Sequence, residues 1–341
     1  HWTEAPHSMF GALRVDGRAY RFLGGKAVPE TTATQTSLIV HPTRSIYTFT
    51  AGEVELRVTF TSPLLLDDFD LLSRPVTYVS LDVRALDGRP HDVALYFDIS
   101  GEWAVDKSYH EVTWGRIVSS DLHIGTLRSV EQKPLARRGD DVRIDWGTLL
   151  LGAPAADSRM AIGRAESLRQ QFADDGSLPS EDWMTASHPA NCWGGPVIAA
   201  SFTFEGVGPQ TRSAHLLVGY DDEVSIEYFH RPLRAWWRRD AAASPVNLLL
   251  DADRDYPAVL QRCARFDAEL ETWAERTGGA EYARLVALAY RQAVAAHKLV
   301  EGPEGQPLFF SKENNSNGCI ATVDITYPSA PLFLIYNPDL V

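Results

Sequence analysis

Between Pro307 and Pro331 the chain concentrates its chemistry: carboxylates at Glu313 and Asp324, an ammonium at Lys312, amides at Asn314, Asn315 and Asn317, and several hydroxyls. Apolar neighbours flank it, Phe309-Phe310 on one side and Ile320, Val323 and Ile325 on the other. A stretch of that pattern is expected as a loop tucked into a cleft rather than a plain solvated connection. Two carboxylates in one cleft divide acid and base roles when their surroundings keep one ionised and the other protonated. Glu313 and Asp324 are therefore the candidate catalytic pair. Lys312, Asn314, Asn317, Thr326 and Tyr327 supply the charge and hydrogen-bonding groups to hold a substrate beside them. Structural readings compete at each position. Glu313 pairs with Lys312 or a helix end, and Asp324 caps the next helix through the backbone N–H of Thr326 or Tyr327. Cys319 is a nucleophile activated by Lys312, or a buried thiol behind the loop. The buried thiol is favoured because no suitable base stands beside it.

The elements that position this stretch follow from patterning. Residues 1–245 read as β-structure. Asp16-Gly17 marks a hairpin, and apolar residues alternate at Val54, Leu56, Val58 and Phe60, at Val79, Leu81 and Val83, and at Val93, Leu95, Phe97 and Ile99. Period-two alternation with turn residues between predicts half-buried antiparallel strands packed as a β-sandwich. Further strands are expected at Leu38–Val40, Ile46–Phe49, Val142–Leu151, Ala199–Phe204 and His215–Tyr220, with an inserted helix over Ser158–Asp182. From about residue 246 the period becomes helical: Tyr256–Thr277 closed by Gly278-Gly279, then Tyr282–Val300, buried among other helices. A third helix is expected to begin at Pro331 and to be barely formed, its packing partners absent. The aromatic and basic run Glu227–Arg239 is read as a linker packed on both domains in preference to a stacking platform for a sugar or base.

Composition narrows the partners. The 341 residues are 45% hydrophobic and carry a net charge of −13, which fits a sizeable core and argues against nucleic acid or an anionic membrane as the partner. No run is apolar enough to span a membrane. Cys192, Cys263 and Cys319 have no CxxC spacing, and the histidines include no H-x-x-x-H pair, so neither a metal site nor a cofactor is expected. Asp67–Asp70 and Asp251–Asp255 read as turns or helix caps in preference to Ca²⁺ sites, and Arg138-Gly139-Asp140 as a polar turn. The opening at His1 rather than Met fits a processed or excised fragment. Oligomeric state is not set by these patterns.

Longer strings carry a resemblance. Ser311-Lys312-Glu313-Asn314, Ser316-Asn317-Gly318, Thr322-Val323-Asp324 and Tyr327-Pro328-Ser329-Ala330-Pro331 are similar to the signature of the glutaminase A family, described from fungi and found also in bacteria. So are Thr61-Ser62-Pro63-Leu64-Leu65, Leu71–Tyr78 and Phe97–Trp103, and the likeness covers nearly the whole chain. The resemblance implies a β-sandwich followed by a six-hairpin (α/α) barrel, hydrolysis of L-glutamine to L-glutamate and ammonia, and secreted or periplasmic location. Residues 1–245 then form the sandwich, and 246–341 a linker helix and first barrel hairpin, incomplete because the chain stops there. No G-x-S-x-G elbow is present for amide hydrolysis. The implied barrel leaves glycoside hydrolysis by Glu313 and Asp324 open, or substrate binding by Asp324 and Tyr327 in the pocket's first wall, as does a third reading, a non-catalytic truncated binding module.

Overall fold

Asp16 and Gly17 both take positive φ, 47° and 87°, the geometry of a two-residue hairpin turn whose twist matches its strands. The turn joins β1 (Met9–Val15) to β2 (Arg18–Leu23). The computed structural model describes residues 6–137, 143–191, 193–240, 242–312 and 319–341. Arg138-Gly139-Asp140 and Cys192 lie outside them.

After the first hairpin come β3 (Thr34–Val40), β4 (Arg44–Ala51), β5 (Val54–Thr61), the short helix α1 (Phe69–Ser73), β6 (Val76–Ala85), β7 (His91–Ser100), β8 (Glu111–Ile117), β9 (Leu122–Ser129), β10 (Thr148–Pro154) and β11 (Ser158–Arg164). Helix α2 (Ala165–Asp175), β12 (His188–Pro189), β13 (Pro196–Val207), β14 (Arg212–Asp221), β15 (Ile226–Tyr228) and β16 (Arg231–Leu233) follow. The chain closes with α3 (Pro245–Ala295), β17 (His297–Glu301), β18 (Pro307–Ser311) and α4 (Val323–Tyr336). Two sheets dominate, ordered β11-β13-β7-β1-β2 and β12-β8-β9-β10-β14-β6-β5-β4-β3, with antiparallel neighbours.

The alternating residues meet between the sheets. Val54, Leu56, Val58, Val79, Leu81, Val83, Val93, Leu95, Phe97 and Ile99 join one buried core drawn from both sheets, with Phe60 packed at its margin. This is the expected antiparallel sandwich. Its outer faces are covered by helices. Leu168 and Phe172 of α2 pack on Phe10, Tyr96 and Ala199 of the smaller sheet. Leu248, Leu249, Ala252, Val259 and Cys263 of α3 pack on Tyr78, Leu150 and Leu217 of the larger one. Gly152 and Gly219 let α3 approach closely, since a Cβ there would stand 3.2 and 3.4 Å from the Leu249 methyl groups.

Several boundaries differ from the sequence reading. Ser158–Arg164 is an edge strand rather than the start of a helix, and only Ala165–Asp175 is helical. The strand expected from Val142 runs Thr148–Pro154. Helix α3 begins at Pro245, capped by the Ser244 hydroxyl, and Gly279 (φ 83°, ψ 178°) breaks it where the Gly-Gly stop was expected. Its second segment ends at Ala295, so Leu299 lies in a strand. Helix α4 starts at Val323, eight residues before the expected Pro331, and holds Pro328 and Pro331 inside it.

Candidate functional site

The segment singled out by its chemistry is entered through the β17–β18 hairpin, which the sequence reading had as helix and loop. His297 pairs with Ser311, Lys298 with Phe310, Leu299 with Phe309 and Val300 with Leu308. Alternation sends these residues to two faces. His297, Leu299 and Phe309 join Phe333 of α4 and Leu66 in one cluster. Val300, Leu308 and Phe310 join Ile226, Tyr228 and Leu233 of the β15–β16 hairpin in another.

Both ends of the segment are pinned to this hairpin. Lys312 N–H donates to Ala296 O at 2.8 Å, Ala321 N–H to Ser311 O at 2.8 Å, and Lys312 bridges to Ile320. The Ser311 and Thr326 hydroxyls stand 2.8 Å apart, fastening the start of α4. Thr326 is thus engaged with the hairpin on the His297 face. Lys312, one residue beyond Ser311, belongs to the other side, where Lys298 and Asp222 lie.

That other side is a charge cluster. Lys298 Nζ donates to Asp222 Oδ2 at 2.7 Å, and Ser225 Oγ to the same atom at 2.7 Å. Burial acts to raise the Asp222 pKa, but the Lys298 charge and hydrogen bond, with Ser225, outweigh it and hold the carboxyl below its usual range. Its Oδ1 is buried and has no hydrogen-bond partner among the described residues. Lys312 is exposed by surface area yet crowded around its ammonium; that crowding first, and the Lys298 charge second, depress its pKa. The Lys298–Asp222 pairing spans 76 residues and has no local sequence signal.

The remaining candidates are distributed as follows. Glu313, Asn314 and Asn317 lie outside the described residues. Asp324 is exposed in the first turn of α4, where a carboxylate is favoured by the helix dipole. It is not the cap: Thr322 holds that position, without a side-chain cap bond, because the helix starts one residue before Asp324. Tyr327, one turn on, is 79% exposed, so Asp324 and Tyr327 share a face of the helix. Pro328 and Pro331 remove the donors that would bond the carbonyls of Asp324 and Tyr327. Cys319 is exposed rather than a thiol buried behind the loop, because it leads the short pairing of Ile320 with Lys312 at the surface. Cys263 is buried, and burial pushes its pKa up to about 11.

Other polar stretches have structural partners. Asp68 caps α1 through Leu71 N–H and binds Arg262. Asp253 meets His215 at 2.7 Å, and Asp255 meets Arg74 at 3.0 Å. In the aromatic and basic run, Arg238 Nε binds Asp221 at 2.7 Å and Arg239 lies over Trp236. Among the described residues no three His, Cys, Asp or Glu side chains gather as metal ligands.

Comparison with known proteins places these elements. The family described as "Domain of unknown function (DUF5127)" matches residues 43–273, and "Glutaminase A six helical-hairpin domain" matches residues 279–341. "Glutaminase A" of Aspergillus oryzae is 30% identical over 97% of this chain and 48% of its own length. The "Probable glutaminase" of Arthroderma benhamiae is 27% identical over 98% of this chain and 39% of its own. The chain therefore spans about half or less of the length of these relatives. A GalM/aldose epimerase homologue from C. elegans aligns over 62% of this chain and 78% of its own, with 12% identity and a TM-score of 0.28.

Proposed function

Since this chain belongs to the glutaminase A family, we propose that the protein it represents hydrolyses L-glutamine to L-glutamate and ammonia, with the segment from Lys312 to Tyr327 forming one wall of the site. The observation that carries this reading is the 30% identity to "Glutaminase A" across 97% of the chain. The match of the six helical-hairpin domain begins at residue 279 and covers this wall.

In this reading Asp324 takes a proton from the water that attacks the side-chain amide carbon. The C–N bond breaks as the proton passes to the departing nitrogen, giving a carboxylic acid and ammonia, and the acid's proton then moves to the ammonia to leave carboxylate and ammonium. Asp324 suits the base role because it is exposed and has no hydrogen bond or ion pair among the described residues that would occupy it. Tyr327 stands on the same face to contact the substrate. Lys312 supplies positive charge for the substrate's carboxylate, and Glu313 is the second carboxylate. Substrate binds as a small molecule, without a metal or organic cofactor.

The test is ammonia release from L-glutamine by the protein and its Asp324→Asn variant. Loss of the base is expected to lower kcat about 10²- to 10⁴-fold with an unchanged melting midpoint. Near-wild-type turnover removes Asp324 from the chemistry. Reducing sugar released from glycosides, with no ammonia from glutamine, transfers the paired carboxylates to glycoside hydrolysis instead.

A further inference from the structure

Beneath the β17–β18 hairpin, on the face opposite the Lys298–Asp222 cluster, lies a cavity of about 290 Å³ between the second segment of α3 and the Ser62–Leu64 turn. Leu64, Leu72, Val294, Leu299 and Phe309 form its apolar walls. Three polar side chains line it, Ser62, whose hydroxyl stands 3.1 Å from that of Thr77, Arg291 and His297.

Among the described residues Arg291 is ion-paired with no carboxylate. Its Nη1 donates to His41 O (3.2 Å), Arg44 O (3.3 Å) and Ser45 Oγ (2.9 Å). Those bonds fix the guanidinium while Nε and Nη2 donate to nothing among the described residues. The nearby Asp267 carboxylate acts on it only through space, being bonded to Arg44, and a guanidinium with an open edge, half-buried beside apolar walls, is a site for a planar anion.

His297 offers the opposite polarity. Its Nδ1 lies 2.7 Å from Ala293 O, and since a carbonyl only accepts, Nδ1 carries the proton. Nε2 is then an acceptor. The ring is held in place between Phe309, stacked at 4.6 Å, and Phe333, edge-on at 4.7 Å. Burial disfavours the imidazolium, so the acceptor persists at neutral pH.

We propose that this cavity binds a short carboxylate bearing a neighbouring O–H or N–H group, the carboxylate on the free edge of Arg291 and the adjacent donor on Nε2 of His297. The volume is just below the range of drug-sized pockets and suits a 2-hydroxy- or 2-amino-acid with a small apolar side chain. The site stands whatever reaction the protein catalyses.

Isothermal titration of this chain with L-lactate, L-alanine, propionate and L-lactamide tests it. Lactate or alanine binds, revealing which donor the site prefers. Propionate, lacking the donor, binds about two- to tenfold more weakly, and lactamide, lacking the charge, about tenfold or more weakly. His297→Phe keeps the aromatic stack and should bring lactate and propionate to equal affinity. Ala295→Trp, at the exposed rim, should abolish binding of all while leaving the melting midpoint in place. The proposal is overturned by no binding to the wild-type chain, by propionate or lactamide binding as well as lactate, or by full-strength binding in the folded Ala295→Trp variant.

Discussion

The ammonium of Lys312 has no hydrogen bond among the described residues, and the charges acting on it are Lys298, which repels it, and Asp222, whose Oδ2 is already bonded to Lys298. Crowding and a like charge both disfavour the protonated form, so its pKa is lowered in the folded protein. For a base, a lowered folded value means a destabilising contribution that is fully present at neutral pH and relieved as pH rises through that value. Removing the charge should therefore stabilise the fold. Lys312→Met is expected to raise the melting midpoint slightly, by about 1–2 °C near pH 7, with the gain shrinking toward pH 10. Under the proposed function the same change should weaken L-glutamine binding, since Lys312 is proposed to hold the substrate's carboxylate. A stabilised variant with impaired function is the signature of a residue kept for its site rather than for the fold. A drop in the midpoint would show that Lys312 is a structural partner of Asp222. The neighbouring carboxyl behaves oppositely: Asp222 is held ionised, so its contribution is present above the usual aspartate range and is lost as pH falls through its depressed value.

Among the elements, Gly279 separates the part of α3 that covers the sandwich from the part that leads into the hairpin. Its φ of 83° and ψ of 178° fall where L side chains are strained, and a Cβ there meets nothing within 4 Å, so backbone alone sets the effect of substitution. Gly279→Ala should lower stability by about 1–3 kcal/mol, measured by denaturant unfolding. Gly25→Ala, also in open space but without positive φ, should stay within about 0.5 kcal/mol. Equal effects would mean that α3 reads through as a single helix. This break was legible in the sequence because Gly-Gly interrupts a helical period, and the central strands were legible because each buries one face, as Val79, Leu81 and Val83 do. β8 was not, since Val112 is its only fully buried residue. The early start of α4 was hidden by Pro328 and Pro331, which lie inside the helix and take from it the donors that the carbonyls of Asp324 and Tyr327 would accept from. Of the candidate site, Lys312, Asp324, Thr326 and Tyr327 were visible as a dense polar motif. Asp222, Lys298 and His297 were not, because each acquires its role from contacts made across the tertiary structure.

At the scale of the molecule, the sandwich and the helical part are joined by more than the apolar contact of α3 with the larger sheet. Asp267 of α3 is fully buried and accepts from Thr43 N–H (2.9 Å), Thr43 Oγ1 (2.8 Å) and Arg44 Nε (2.7 Å) at the start of β4. His41 Nδ1 meets Glu271 at 2.7 Å one turn further on, and Arg291 of the second segment bonds the carbonyls of His41 and Arg44. One short stretch of the sheet thus holds both segments of α3 and, through them, the hairpin that carries the candidate site. A buried carboxylate with three donors cannot be removed without leaving them unpaired, which costs about 3–5 kcal/mol. An exposed pair such as Asp251–Arg254, 2.7 Å apart with both side chains largely in solvent, is worth less than about 1 kcal/mol. Asp267→Ala is therefore expected to lower the unfolding free energy by about 3–5 kcal/mol. It should also split a single denaturant transition into two, with helical signal lost before the sheet signal in circular dichroism. Asp251→Ala should leave one transition close to wild type. If the two variants unfold alike, the clamp is not what couples the layers, and the apolar contact of Leu248 and Leu249 with the sheet must hold the helical part in place alone.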